Sequence, residues 1–164
     1  MFGQSRDQYY LESLPAPLIE YVDGRNKGFS GMDLTSRHLR WVRFTGSMLK
    51  DCDFRNSTLE CFFADFALFE NCHFDQAHIF ESVFAGCRLI NCSFTGVTAD
   101  LCNFNGIYAR DTDFSDASLR GSRFVNARLS TVNFVNCDVK DALFQFSQRN
   151  EVTFRHSNYE EACF

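Results

Sequence analysis

Apolar residues recur every five positions along most of this chain. From Phe29 to Phe164, every position whose number ends in 4 or 9 is apolar or aromatic except Arg149, and no insertion interrupts the series. The residue two positions before each of these central residues is mostly small or aliphatic, whereas Gly, Asn and Asp are common two positions after it. The pattern defines a five-residue repeat in which two positions are expected to face a core.

A period of five fits neither an α-helix nor a continuous strand. In a helix, five residues advance by about 500°, so the central residues would not form a stripe. In a strand, an odd period places successive central residues on opposite faces. A chain that turns a corner after every five residues keeps both apolar positions inside, and Gly, Asn and Asp adopt corner conformations at little cost.

The segments ADFALF, CDFRNSTLE, SDASLRGSRF and NCDVKDALF closely resemble the pentapeptide-repeat family, whose motif is A(D/N)Lxx. The resemblance covers about residues 28–164 and implies an all-β fold, a right-handed quadrilateral β-helix with four five-residue sides per coil. Phe recurs at every twentieth position, as in Phe54, Phe74 and Phe94, and a three-sided coil would instead mix Phe with Leu. We therefore expect about seven coils, spaced ~4.8 Å apart, with like rings stacked between coils.

The repeat divides the chain into two segments. Residues 1–27, which contain Pro15 and Pro17, lie outside the repeat and are expected to form a short N-terminal cap, while residues 28–164 form the β-helix. Solenoids need capped ends because an open end exposes core and unpaired backbone. No cap is visible at the other end, so we expect a second copy to cover it through Tyr159, Cys163 and Phe164.

Composition and charge narrow the function classes. The length of 164 residues favours a single domain. The net charge of −5 disfavours direct binding to nucleic acid or to an anionic membrane surface. No apolar run reaches the ~20 residues of a membrane-spanning helix, and the N-terminus lacks the apolar core of a signal peptide, so the expected location is the cytoplasm.

The cysteines are best interpreted as core residues. Cys52, Cys72 and Cys92 fall in one column of the coil, where their distance alone would permit a disulfide. Three residues in a row cannot all pair, and Ser or Ala takes the same place elsewhere, so we expect buried thiols. The inward small positions hold Cys52, Cys72, Cys87, Cys92, Cys102 and Cys137.

Catalytic and metal-binding patterns are missing from the sequence. There is no CxxC pair, and His73 and His78 lie on different sides of the coil, so no metal or cofactor is expected. There is no nucleophile elbow and no phosphate loop, and a filled rod offers no cleft, so we expect no enzyme activity. Arg149 is the one charged central residue, and we expect a local bulge or loop there; the alternative is a carboxylate that reaches it.

The outward positions predict two kinds of surface. Two adjoining sides are acidic, whereas the other two are near neutral and expose apolar residues, a composition that suggests an interface. In the segment LECFFADFALF, Phe62 takes an inward place and small Ala64 follows it, so Phe62 belongs to the core and Phe63 and Phe66 to the surface. The candidate partner-binding residues are Phe63, Phe66, Leu68, Ile90, Tyr108 and Phe146. The candidate acidic flank comprises Asp53, Glu60, Asp75, Glu81, Asp100, Asp113, Asp116, Asp138 and Asp141.

Three functions are compatible with these features. The first is a non-enzymatic scaffold, a rigid rod that binds a protein partner or a second copy of itself. The second comes from the resemblance: some pentapeptide-repeat proteins mimic duplex DNA and bind DNA gyrase, protecting bacteria from quinolones or peptide toxins. Those proteins usually carry a C-terminal dimerisation helix, and often loops that break the repeat, which are not seen here. The third is an adaptor or effector of a bacterial secretion or toxin system.

Overall fold

The computed structural model describes residues 10–164 except 12, 15 and 16. Short strands separated by turns make up nearly all of this part of the chain. Every fifth residue from Tyr21 to His156 has a positive φ, which turns the backbone through a corner. The strands are β1 Leu18–Glu20, β2 Gly28–Ser30, β3 His38–Arg40, β4 Met48–Lys50, β5 Thr58–Glu60, β6 Leu68–Glu70, β7 His78–Phe80, β8 Arg88–Ile90, β9 Tyr108–Asp113, β10 Arg128–Asn133 and β11 Gln148–Thr153, and a 3₁₀ turn covers Tyr159–Glu161.

All strand pairs are parallel, and each residue pairs with the one twenty positions later. Phe29 is thus opposite Leu49, and Leu39 is opposite Leu59. One side of the coil is a 7-stranded sheet, from β2 to β11, and the opposite side is a 4-stranded sheet of β1, β3, β5 and β7. Isolated parallel bridges such as Phe63 to Val83 hold the remaining two sides in the same register. The four-sided β-helix of about seven coils that the sequence predicts is confirmed.

Each side of the rod is named here after one of its central residues, and its last residue is the corner that leads to the next side. The same positions recur twenty residues later in every coil. The Phe44 face comprises residues 42–46, the Leu49 face 47–51, the Phe54 face 52–56 and the Leu59 face 57–61.

Two columns of stacked phenylalanine rings run through the core, and residues such as Leu39 and Leu49 fill its other two sides. In one column, Phe74 lies 4.7 Å from Phe54 and 4.5 Å from Phe94, with nearly parallel rings. Rings of the two columns meet edge to face, as Phe84 and Phe94 do at 6.2 Å. Both arrangements are favoured by the ring quadrupole. The like-on-like stacking expected from the sequence is therefore present.

Phe62 replaces a ring that one column lacks. Its neighbour in sequence, Ala64, holds the central position between Phe44 and Phe84 but has no ring. The Phe62 ring enters from the adjacent inward position, 5.5 Å from Phe44 and 5.7 Å from Phe84, and is fully buried. The volume of the core is thus conserved across this coil.

Arg149 does not lie in a bulge or loop. It is part of β11 and pairs in register with Leu129, so the five-residue period continues without an insertion. The side chain is exposed, and its guanidinium carbon lies 4.6 Å from the centre of the Phe164 ring. The expectation of a bulge is therefore wrong: Arg149 holds the central position of a regular strand and its side chain is exposed beside the Phe164 ring.

Strand pairing begins before residue 28. β1 pairs with β3, and Ile19 is fully buried opposite Leu39. Residues 18–27 thus follow the coil, although the sequence assigns them to the cap. Of the preceding segment, Leu11 is described and buried; most of the remaining cap lies outside the described residues.

Within the described residues, no helix has the length and apolar character needed to cross a bilayer.

Candidate partner-binding surface

Aromatic side chains line one edge of the Phe44 face. Phe63 is half-buried and stacks on Trp41, with ring centres 6.3 Å apart. Trp41 in turn borders a depression of about 220 Å³ that Tyr21 and Arg43 also line. Val83 follows Phe63 in the next coil. Aromatic residues and arginine are the residue types most enriched at protein–protein binding hot spots.

Bulky apolar residues with positive φ stand at both edges of this face and nowhere on the opposite, Phe54 face. Tyr21, Trp41 and Leu101 occupy the corner that precedes the Phe44 face, and Phe66 and Phe146 occupy the corner that follows it. Phe66 is 74% exposed, and Leu101 and Phe146 are each 82% exposed. The described corners of the Phe54 face hold only glycine or polar residues: Gly31, Asp51, Asn71, Asn91, Asp111, Thr131 and Glu151 on one side, and Ser36, Asn56, Gln76, Gly96, Asp116, Asn136 and His156 on the other.

Two of these side chains lie on a glycine of the next coil. A Cβ atom added to Gly86 would lie 2.6 Å from the Phe66 ring, and one added to Gly121 would lie 2.7 Å from the Leu101 side chain. Only glycine leaves room for this contact. Phe66 and Leu101 therefore extend along their corners and form low apolar ridges beside the face.

The Phe44 face also carries arginines without a partner. Among the described residues, Arg43 and Arg123 are exposed and make no side-chain hydrogen bond or ion pair. Arg25, by contrast, is paired with Asp23 at 2.6 Å. The two free guanidiniums lie four coils apart, with Phe63 and Val83 between them.

The predicted partner-binding residues divide between two faces. Phe63 and Phe66 belong to the Phe44 face, and Phe146 is at its corner. Leu68, Ile90 and Tyr108 are half-buried on the Leu49 face, where the guanidinium carbon of Arg88 lies 5.8 Å from the centre of the Tyr108 ring.

Three exposed residues at the edge of the Phe44 face were not predicted from the sequence. Trp41, Tyr21 and Leu101 occupy corner positions that Gly, Asn or Asp normally hold. A bulky residue at such a position is the signal that would have identified them.

Most carboxylates of the predicted acidic flank are bound by neighbouring side chains. On the Phe54 face, Asp53 accepts hydrogen bonds from Arg55, Asp75 and Asp113 from serines, and Asp116 from Asn136. Burial raises the pKa of the Asp53 carboxyl, but the Arg55 hydrogen bonds outweigh burial and hold that pKa below its usual range.

The Leu59 face follows the same rule. Glu60 contacts His38 at 2.9 Å, Glu81 accepts a hydrogen bond from Cys61, and Asp100 accepts one from Ser118. Arg120 donates to Asp138 at 2.6 Å, and the pKa of Asp138 is lowered because this bond and one from Asn158 outweigh burial. Asp141 has no side-chain partner among the described residues. The side chains of the acidic flank therefore form hydrogen bonds between coils in addition to carrying charge.

The last coil exposes residues that are buried in earlier coils. Phe164 is 44% exposed although Phe144, its equivalent one coil earlier, is fully buried. Tyr159 and Cys163 are exposed beside it. The predicted self-association residues thus form one surface at the end of the rod, next to Arg149.

All eight cysteines are free thiols, and only Cys163 is exposed. Burial raises the pKa of Cys102 to about 12 and that of Cys137 to about 11. The column of Cys52, Cys72 and Cys92 is also buried, and hydrogen bonds with its two neighbours raise the pKa of Cys72. High pKa values and burial make Cys72, Cys102 and Cys137 unreactive. The hydrogen bond with Cys72 lowers the pKa values of Cys52 and Cys92, so these two thiols are protected by burial alone.

Comparison with known proteins agrees with this architecture. The pentapeptide-repeat family model matches eight copies, in residues 65–96, 100–136 and 110–145. The chain belongs to the pentapeptide-repeat family. Comparison with curated protein sequences gives no significant match.

The solved structures it resembles include two trypsin-treated forms of QnrB1, a plasmid-mediated fluoroquinolone resistance protein. The first has 16% identity and a TM-score of 0.69, with 88% of this chain and 78% of that chain covered; the second has 15% identity and the same score, with 90% and 77% covered. HetL, a pentapeptide repeat protein involved in heterocyst differentiation regulation in the cyanobacterium Nostoc, matches with 14% identity and a TM-score of 0.32, covering 94% of this chain and 93% of that chain. At such identities, the QnrB1 likeness shows a shared fold and no more.

Proposed function

We propose that this protein is a non-enzymatic binding protein whose rigid β-helix presents the Phe44 face to a protein partner. The observation that carries the proposal is the position of its costly corner residues. A non-glycine residue in the left-handed region costs about 1–2 kcal/mol, and Asn or Asp reduces that cost. Tyr21, Trp41, Leu101, Phe66 and Phe146 bear this cost while remaining exposed. Polar residues such as Thr131 and Glu151 bear the same cost at corners of the Phe54 face, so the feature that distinguishes the Phe44 face is that its costly corner residues are apolar and exposed, as a binding surface requires.

A capture experiment tests this function. The full chain is immobilised and exposed to a lysate of the native host, in parallel with the double variant Phe66→Asn and Leu101→Asn. Asn suits both corners, since Asn26 and Asn126 hold the same corner position as Phe66 with φ of 56° and 58°. The matched control is Gln76→Asn, at a corner of the Phe54 face.

We expect the wild type and the control to retain a protein that the double variant loses. Retention of the same proteins by all three chains would contradict the proposal. Circular dichroism on each variant verifies that the β-helix is intact.

Self-association through the last coil is a second part of the proposal. The exposed rings of Tyr159 and Phe164 support it, because adjoining exposed apolar residues favour association. Sedimentation of the wild type and of Phe164→Asp tests it: we expect a dimer that the variant dissociates. A monomer at micromolar concentration would oppose it.

Action on DNA gyrase is the alternative function. The shared fold with QnrB1 and the acidic Phe54 and Leu59 faces favour it, because carboxylates in rows can imitate phosphates. The pairing of Asp53 with Arg55 and of Asp138 with Arg120 weakens it, since these two charges are neutralised within the rod. A supercoiling assay with purified gyrase decides: an unchanged rate at excess protein rejects this alternative.

A further inference from the structure

We propose that a depression on the Leu49 face binds a phosphate group, either as the free anion or on a small phosphomonoester. The depression has a volume of about 260 Å³ and lies across β9, β10 and β11. It belongs to a different face from the proposed partner-binding surface, so this site is independent of the proposed function. Its polar lining residues are Tyr108, Arg128, Ser130, Gln148, Arg149 and Asn150.

The parallel register of the three strands brings these side chains together. Arg128 pairs with Tyr108 of β9 and with Gln148 of β11, and Ser130 pairs with Asn150. Side chains on neighbouring strands start ~4.8 Å apart, and those two positions apart along one strand start ~6.6 Å apart. Residues that are twenty positions apart in the sequence therefore surround one small space.

The lining consists of hydrogen-bond donors without an acceptor carboxylate. Each of the six polar side chains can donate, and no Asp or Glu lines the depression. Among the described residues, none of the six forms a side-chain hydrogen bond or an ion pair. Elsewhere on the rod, similar donors bind carboxylates, as Ser118 binds Asp100 and Asn136 binds Asp116. A set of donors with no acceptor of its own is the composition of an anion site.

The charges on this part of the Leu49 face favour an anion. From residue 87 to 151, the face carries four arginines and two carboxylates: Arg88, Arg110, Arg128 and Arg149 against Asp111 and Glu151. Both carboxylates stand at the corner that leads to the Phe54 face, outside the lining of the depression. Asp111 contacts Arg110 at 3.3 Å, and Glu151 accepts a hydrogen bond from Thr131.

The formal charges of the two adjoining faces cancel in the same coils. Arg123 on the Phe44 face and Arg155 on the Phe54 face stand against Asp113 and Asp116 of the Phe54 face. Both of these carboxylates already accept hydrogen bonds, Asp113 from Ser115 and Asp116 from a neighbouring asparagine. The two arginines of the lining therefore determine the sign of the potential at the depression.

The one charged central residue of the repeat belongs to this lining. From Phe29 to Phe164, every other central position is apolar or aromatic. Arg149 keeps the central position in β11, and its guanidinium lies over the Phe164 ring, an arrangement that orients the group and leaves its N–H edge available. A bound phosphate explains an arginine at a position where Leu or Phe would add to the core.

The number of donors and the size of the depression favour phosphate over other anions. The planar guanidinium matches phosphate oxygens with paired hydrogen bonds. A phosphomonoester offers three acceptor oxygens and close to two negative charges, whereas a carboxylate offers two oxygens and one charge. The volume of about 260 Å³ is below the ~300–1,000 Å³ of pockets for drug-sized molecules, so the depression suits a phosphate group and the atoms next to it.

Nuclear magnetic resonance of the isotope-labelled full chain tests the site, because backbone amide signals locate binding residue by residue. The probes are inorganic phosphate and glycerol phosphate, and acetate at equal ionic strength is the control for charge alone. We expect saturable shifts in residues 128–130 and 148–150 with the phosphate probes, no shift at Arg123, and at least tenfold weaker binding of acetate. The probe with the higher affinity identifies the ligand as the free anion or the ester.

Variants locate the binding groups. Arg128→Gln and Arg149→Gln should each weaken phosphate binding at least tenfold. The matched control Arg123→Gln removes an exposed arginine that also has no side-chain partner among the described residues, and it should leave the affinity unchanged. Circular dichroism verifies the fold of each variant. Acetate that binds as tightly as the phosphate probes, or Arg128→Gln that binds like the wild type, overturns the inference.

An acidic surface of a second copy is the competing occupant. If sedimentation shows a dimer that Arg128→Gln dissociates, while the phosphate probes shift no signal, the arginines serve that contact and the inference is wrong. Failure of phosphate binding does not affect the proposed function, because the capture experiment depends on Phe66 and Leu101 and on neither arginine of the depression.

Discussion

The exchange between Phe62 and Ala64 provides a quantitative test of how the core is packed. Phe62 is fully buried and lies within 5.5–6.1 Å of Phe44, Phe84 and Phe54, measured between ring centres. Removal of a buried Phe ring costs about 3–5 kcal/mol. At 2–4 °C per kcal/mol for a chain of this size, Phe62→Ala should lower the thermal midpoint by roughly 6–20 °C.

The reciprocal change should be harmful by itself but should rescue the first. Ala64→Phe adds a ring to a space that Phe62 already fills, and overpacking costs about 1–3 kcal/mol. In the double variant, the ring returns to the central position between Phe44 and Phe84, which Phe holds in all the other coils from Phe44 onward. We expect the double variant to lie within about 1.5 kcal/mol of the wild type, as for volume-conserving exchanges.

Thermal and urea unfolding of the four chains, followed by circular dichroism, measures this cycle. Strictly additive losses, with the double variant less stable than either single variant, would falsify the idea that Phe62 substitutes for a missing ring of the stack. Additivity is the usual result for residues that do not share a space.

Three further predictions follow from other parts of the rod. Gly86→Ala should destabilise the fold more than Gly106→Ala. Both glycines have positive φ, but only at Gly86 would the new Cβ meet the Phe66 ring, at 2.6 Å. Equal thermal midpoints for the two variants would show that the Phe66 ring moves aside without cost. A thiol reagent should modify Cys163 rapidly in the native protein and the buried cysteines only after unfolding, because Cys102 and Cys137 combine burial with a raised pKa; rapid modification of several thiols would contradict this burial. At pH values below about 4, the thermal midpoint should decrease, because the pKa values of Asp53 and Asp138 are depressed in the folded state. Their stabilising contribution is present above the unfolded pKa of ~3.9 and is lost as the pH falls through the folded pKa values. Asp138→Asn should therefore lower the midpoint at pH 6 and have little effect at pH 2.

The core could be predicted from the sequence because the coil imposes its period on every buried residue. Each corner determines which positions point inward, so residues as different as Phe62 and Ala64 could both be assigned to the core from their place in the repeat. The same period did not reveal how Arg149 is accommodated, since its exposure beside the Phe164 ring depends on contacts between coils.

The surface was less predictable because it depends on contacts between coils. The carboxylates of Asp75 and Asp100 look like free charges in the sequence, but they accept hydrogen bonds from serines of the next coil. Trp41 and Leu101 occupy corner positions, whose exposure and alignment with the Phe44 face become visible only when the coils are stacked.

Site-specific photo-crosslinking tests the central claim, that the Phe44 face is the binding surface, most directly. Benzoylphenylalanine replaces Phe66 in one chain and Asn136, at a corner of the Phe54 face, in another, and both are irradiated in the native host. We predict a discrete partner adduct from position 66 and none from position 136. Adducts of equal yield from both positions, or an adduct from position 136 alone, would contradict the account.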